Sequence, residues 1–165
     1  MRKLWAVPVI LMLGCEALNP VVALKEAVKR LDFRLERVEP RLEIAFPLEN
    51  SALHLGLVLS VNNPSDTRVR ALGLGGDLGL EVGSGNHALG KVAFPTGFDL
   101  QPRSRGEVRA DLRFSYRELQ GAWDPLRRAV LQQHAATWHL NGEARIDAFG
   151  LPLTVPIRAS KGSGQ

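Results

Sequence analysis

From Leu31 onward apolar and polar residues alternate with a period of two, and this restricts the fold more than any other feature of the chain. Leu31, Phe33 and Leu35 alternate with Asp32, Arg34 and Glu36; after Pro40, Leu42, Ile44 and Phe46 alternate with Arg41, Glu43 and Ala45. Leu53, Leu55, Leu57, Leu59 and Val61 share one face, with His54, Gly56, Val58, Ser60 and Asn62 on the other. Successive side chains of a strand point to opposite sides, so the pattern predicts strands with one buried face. Leu72, Leu74, Leu78, Leu80 and Val82 repeat it before a turn at Gly83-Ser84-Gly85-Asn86. Val92, Phe94, Phe98 and Leu100 read as a strand broken at Pro95-Thr96-Gly97, as expected of an edge or a bulge.

Val108, Ala110, Leu112 and Phe114 alternate with Glu107, Arg109, Asp111 and Arg113. Two further strands carry Trp138, Leu140, Ala144 and Ile146, then Leu151, Leu153, Val155 and Ile157, joined by a turn at Ala148-Phe149-Gly150. One helix interrupts the strands: Asp124-Pro125 opens it, with Leu126, Ala129 and Val130 at helical spacing as far as Gln133. The expected fold is all-β: an immunoglobulin- or fibronectin-III-like antiparallel sandwich of about seven strands, with an accessory helix before the penultimate strand.

The first residues carry a different signal. Arg2 and Lys3 precede an apolar stretch, Leu4 to Leu13, with the length of a signal h-region. It is too short to cross a hydrocarbon core of roughly 30 Å as a helix. Met12-Leu13-Gly14-Cys15 is similar to the lipobox of bacterial lipoproteins, with Met12 where Leu is usual and Leu13 where a small residue is usual. The resemblance implies a signal peptide over residues 1–14, covalent lipid on Cys15, and export to a bacterial envelope. The partner would then be a membrane, reached through the anchor. Glu16 stands where inner-membrane retention commonly uses Asp, which favours an outer membrane. Residues 15–30 read as a spacer or short helix with Asn19-Pro20 at its start, 31–158 as the domain, and 159–165 as a flexible Gly/Ser-rich tail.

Removing the signal lowers the basic residues from 21 to 19 against 17 acidic ones, a balance that does not point to nucleic acid. Cys15 is the only cysteine, so once acylated it leaves no thiol for a disulfide, and packing must hold the domain.

Gly73-Leu74-Gly75-Gly76-Asp77-Leu78-Gly79 has Leu78 where a dinucleotide loop needs its last glycine, so it reads as a twisted or closely approached strand. The same glycines, with Leu55, Leu57, Leu59, Leu74, Leu78 and Leu80, could alternatively line an apolar groove between sheets for an acyl chain. His134, His139 and Asp147 are too spread for one metal ion, and Ser84 and Ser104 lack a nucleophile's setting. Arg103, Arg105, Arg109, Arg113 and Arg117, interleaved with acids, read as a solvated sheet face.

The order of motifs resembles a family. A long strand ends in Val61-Asn62-Asn63-Pro64-Ser65. A strand finishes Leu80-Glu81-Val82-Gly83-Ser84-Gly85, and Leu100-Gln101-Pro102-Arg103-Ser104-Arg105-Gly106 precedes another. Trp138-His139-Leu140-Asn141-Gly142-Glu143-Ala144 then leads to Phe149-Gly150-Leu151-Pro152-Leu153. Over residues 31–158 this is similar to the type-two late-embryogenesis-abundant (LEA) domain, also called the water-stress and hypersensitive-response (WHy) domain, with Trp138 replacing the usual Tyr. The resemblance implies a sandwich with an accessory helix, links to desiccation and stress, no catalytic residues, no metal and no cofactor beyond the lipid. Asn62, Asn63 and Pro64 are the candidate loop or binding residues, with a strand-ending role for the Asn-Pro pair. Three functions fit: stress protection of macromolecules at an envelope surface, lipid binding or transfer, and a scaffold for envelope proteins.

Overall fold

The structure, a computed structural model, describes residues 20–148 and 150–163, so the expectations for the signal and Cys15 lie outside the described residues. The elements run α1 (Pro20–Lys29), β1 (Asp32–Glu43), a 3-10 turn (Leu48–Asn50), β2 (Ala52–Asn63), β3 (Val69–Val82), β4 (Gly85–Phe94), β5 (Phe98–Leu100), β6 (Ser104–Ser115), α2 (Trp123–Leu131), β7 (Ala136–Ala148) and β8 (Leu151–Gly162). They form an antiparallel sandwich. One sheet is β1-β2-β6; the other is β4-β3-β7-β8, with β5 beside β4 on the same edge of β3. None of the described helices is long and apolar enough to cross a membrane.

The core follows the alternation. Leu53, Leu55, Leu57, Leu59 and Val61 of β2 face Leu74, Leu78 and Leu80 of β3 and Trp138, Leu140, Ala144 and Ile146 of β7 in one buried cluster. Each such side chain removed from water contributes about 1.5–3 kcal/mol. The apolar stripe of α1, Leu24, Ala27 and Val28, is buried in the same cluster, so this helix is part of the packed unit rather than a free spacer. Trp123 packs α2 onto the sandwich and meets Tyr116 edge to face at 5.1 Å.

Four expectations are corrected. β1 runs through Pro40 with a bulge between Leu35 and Arg37, so the inward set passes from Phe33 and Leu35 to Val38, Pro40 and Leu42, the change of phase that the sequence shows. Ile44 and Phe46, expected inward with Leu42, lie beyond the end of the strand at Glu43 and stand in solvent. Leu72, expected inward, is 60% exposed because the β3–β7 register shifts between Ala71 and Gly73, placing Val69 and Ala71 inward before the shift and Leu74 after it. The tail is not frayed as far as Gly162: Thr137, Trp138 and His139 pair with Gly162, Lys161 and Ser160, and the Ser163 hydroxyl and amide both bond Ala136. Finally, α2 starts at Trp123 with Ala122 as its uncapped boundary, and it stops at Leu131 before Gln133 turns left-handed at φ 52°.

The glycines of β3 serve close approach. A Cβ on Gly76 would lie 2.4 Å from the Asn141 carbonyl oxygen, and one on Gly142 would lie 2.0 Å from that of Gly75. Gly76 and Gly142 are paired in register, so two bare backbones meet there. Gly73, by contrast, has open space around it. Urea denaturation should therefore show Gly142→Ala losing about 2–3 kcal/mol through forced backbone displacement, with Gly73→Ala within about 0.5 kcal/mol of the parent.

Candidate functional site

The chain crosses from one sheet to the other between β2 and β3 and crosses back between β5 and β6, and Asn63 joins these crossings. Its side chain is wholly buried. The amide nitrogen donates to the Thr67 carbonyl at 2.8 Å and to the Gln101 carbonyl at 3.1 Å. The amide oxygen accepts from the Ser65 backbone N–H at 3.2 Å and from its hydroxyl at 2.6 Å. Both donors and both lone pairs are thus used within the protein. The Arg103 amide donates to the Ser65 carbonyl at 2.9 Å, and its side chain pairs with Asp66 at 2.6 Å, so the two loops are bound along their length.

The structure separates the three candidate loop residues. Asn63 is inside, Pro64 is exposed, and Asn62 borders a surface depression of about 220 Å³ with Asp32, Arg34, Ser60 and Arg105. The bulged Glu36 accepts from two of the residues bordering it, the Ser60 hydroxyl at 2.9 Å and Arg105. A bulge residue thereby becomes the acceptor that satisfies Ser60, which the covering side chains leave only 2% exposed.

Leu55, Leu57, Leu59, Leu74, Leu78 and Leu80 point at the opposite sheet and are buried in the shared core. A concavity of about 730 Å³ does lie over the glycines, but it opens on the outer face of the larger sheet. Asp77, Lys91, Ala93, Asn141, Glu143 and Arg145 rim it in solvent. Of the residues considered as metal ligands, His139 meets Glu81 at 3.0 Å, and Asp147 accepts from the Gly150 amide at 2.9 Å.

The carboxyl groups that depart from ordinary behaviour all move downward. Asp99 is lowered by the forked bond it accepts from Arg68, whose Nε approaches at 2.7 Å. Glu43 is lowered by its hydrogen bond with His54 at 2.9 Å. Glu118 is lowered by the Ser115 hydroxyl and amide, and its own amide faces the Ser115 oxygen at 3.4 Å. Ser115-x-x-Glu118 is a capping box closing the turn between β6 and α2, a signal present in the sequence but passed over there. These arrangements stabilise carboxylates; a proton donor near neutrality needs the opposite shift.

Neither a protein-family profile nor a curated protein sequence matches the chain. Solved structures do. The solution structure of AT1g01470 from Arabidopsis thaliana superposes with a TM-score of 0.51 at 16% identity, covering 79% of this chain and 78% of that one. The solution structure of a candidate late embryogenesis abundant (LEA) protein, At2g46140.1, gives 0.46 at 11% identity over 85% and 79% of the two chains. The crystal structure of a protein from Archaeoglobus fulgidus gives 0.44 at 12% identity over 78% and 94%. At such identities the first of these establishes a shared fold.

Removal of the Asn63 amide strands two carbonyls and the Ser65 donors in a buried place. Asn63→Ala should cost about 2–4 kcal/mol in urea denaturation. Asp99→Asn tests the forked pair. A carboxyl with a lowered folded-state pKa contributes stability above its unfolded value and loses it as the pH falls through the folded value. Acid unfolding followed by circular dichroism should therefore show a shallower loss below about pH 4 in the variant, and the difference should shrink in high salt because the pair is exposed.

Proposed function

We propose that this chain is a non-enzymatic envelope protein, tethered by lipid on Cys15, whose LEA-type sandwich shields or holds other macromolecules at a membrane surface under water or envelope stress. The observation that carries the reading is the mounting of α1. It begins at Pro20, shortly after Cys15, and is fixed in the core by Leu24, Ala27 and Val28. A tether placed there would hold the sandwich directly, without a long swinging linker. The motif order from Val61 to Leu153 and the fold shared with the Arabidopsis protein support the domain assignment.

The solvent faces fit a surface that meets partners without chemistry. Arg34 pairs with Asp32, Arg68 with Asp99, Arg103 with Asp66 and Arg105 with Glu36, so charge is dispersed in small exposed pairs. Such pairs add little stability. They keep the sheets soluble and polar.

In cells fed radiolabelled palmitate, the native chain should take up label and Cys15→Ala should not; equal incorporation would remove the anchor. A deletion strain should survive drying and osmotic shock less well than its parent, and unchanged survival would remove the stress role.

A further inference from the structure

Of the six large apolar side chains exposed among the described residues, three sit in the connection between β1 and β2: Phe46 at 87%, Ile44 at 45% and Leu48 at 39%. The other three, Val22, Leu72 and Leu131, are dispersed along the chain. Pro47 is exposed between Phe46 and Leu48, so the connection ends in a continuous apolar tip. Part of its backbone is bonded within the connection. The Ser51 hydroxyl accepts from the Ala45 amide at 3.0 Å and donates to the Ala45 carbonyl at 3.3 Å. The Asn50 amide donates to the Pro47 carbonyl at 3.0 Å, and the Ser51 amide to that of Leu48 at 2.9 Å. Pro47 has no amide hydrogen to satisfy.

We infer that this tip enters the surface of a lipid bilayer. Three features favour lipid over a protein partner. Phe46 stands 87% exposed, so a protein would need a pocket to receive it, whereas a fluid bilayer deforms around it. Backbone groups without partners are costly in hydrocarbon, and here the carbonyls at 45, 47 and 48 and the amide at 45 are already bonded within the loop. The only charge between Ile44 and Ser51 is Glu49, with Glu43 just behind it, which disfavours an anionic surface and suits zwitterionic headgroups. Arg41 and His54 lie beside Glu43, so the base of the tip is polar on the water side.

The tip is remote from the junction of α1 and β1. β1 leads from α1 at Asp32 to Glu43, a rise of roughly 36 Å. With the tether held at the α1 end, the bilayer that the tip meets would be a second one, apposed to the membrane holding the tether. That last step rests on the anchor proposed above; insertion itself does not.

Two arms separate these claims. In the full chain carrying Cys15→Ser, a polarity-sensitive fluorophore on Phe46→Cys should shift to the blue with phosphatidylcholine vesicles and be quenched by nitroxide lipids. The same label on Leu72→Cys should remain water-like. With residues 1–14 removed as in the processed chain and Cys15→Ser in place, Phe46→Ser should lower vesicle partitioning roughly 10- to 100-fold. An unshifted label at 46 with vesicles, or a shift produced without vesicles by raising protein concentration, would overturn insertion, the latter in favour of self-association. In the second arm, vesicles bearing the lipidated chain should capture empty vesicles, and Phe46→Ser should abolish capture. Insertion without capture would overturn the apposed bilayer and leave insertion standing.

Discussion

The buried Asn63 amide is the contact on which the relation of the two sheets depends. β2 and β6 belong to one sheet and β3 and β5 to the other, so both loops it bonds are passages between layers. A backbone turn satisfies its own neighbours only; a side-chain amide with two donors and two acceptors reaches a loop far along the sequence. Gln101 is such a loop residue, and no apolar contact could fix its direction as a hydrogen bond does. Pro64 biases Asn63 toward extended geometry, which lets the last residue of a strand carry this inward-facing amide.

A second constraint comes from how the strands keep their apolar faces inward while the sheets coil. Three register shifts, in β1–β2, β3–β4 and β3–β7, each add a residue to one strand. Each shift exchanges the faces beyond it, so the apolar residues must change phase at the same point, as Phe33 and Leu35 do before Val38 and Leu42. Gly76 and Gly142 supply the complementary device, allowing backbones to approach where a Cβ would collide. β8 places Pro152 and Pro156 opposite Asp147 and Glu143. Prolines there remove edge donors, which limits pairing with another strand.

These devices also explain what the sequence disclosed. The stretch Leu53 to Val61 was legible because no shift interrupts its alternation, and every odd position is buried. Leu72 was misplaced because an inserted bulge residue leaves no mark in composition, and Ile44 and Phe46 because the alternation of residue types continues past Glu43, where the strand itself ends. Ser160 to Gly162 looked like a tail because glycine and serine are common in frayed ends. Their order here comes from ladder partners on β7, a distant segment that local reading does not supply. The Asn63-Pro64 pair was legible as a strand end, but its partners Thr67 and Gln101 bond through carbonyls, and carbonyls belong to every residue. The Ser115-Glu118 box lay in plain view yet closes a turn rather than opening a long helix, so no apolar run drew attention to it.

The same physics sets the two ends of the sandwich apart. At the α1 end, the crossings consume their polar groups on each other, leaving a rigid, polar and internally satisfied base. At the other end, β1 and β2 separate by a short connection that bonds part of its backbone within itself and leaves its large apolar side chains exposed, Phe46 most of all. Stability alone does not call for Phe46 in that position: a polar side chain would leave the Ser51 and Asn50 bonds intact and expose less apolar surface. Selection for fold therefore accounts for the base of the molecule, while the tip is where a requirement outside the folded chain is written.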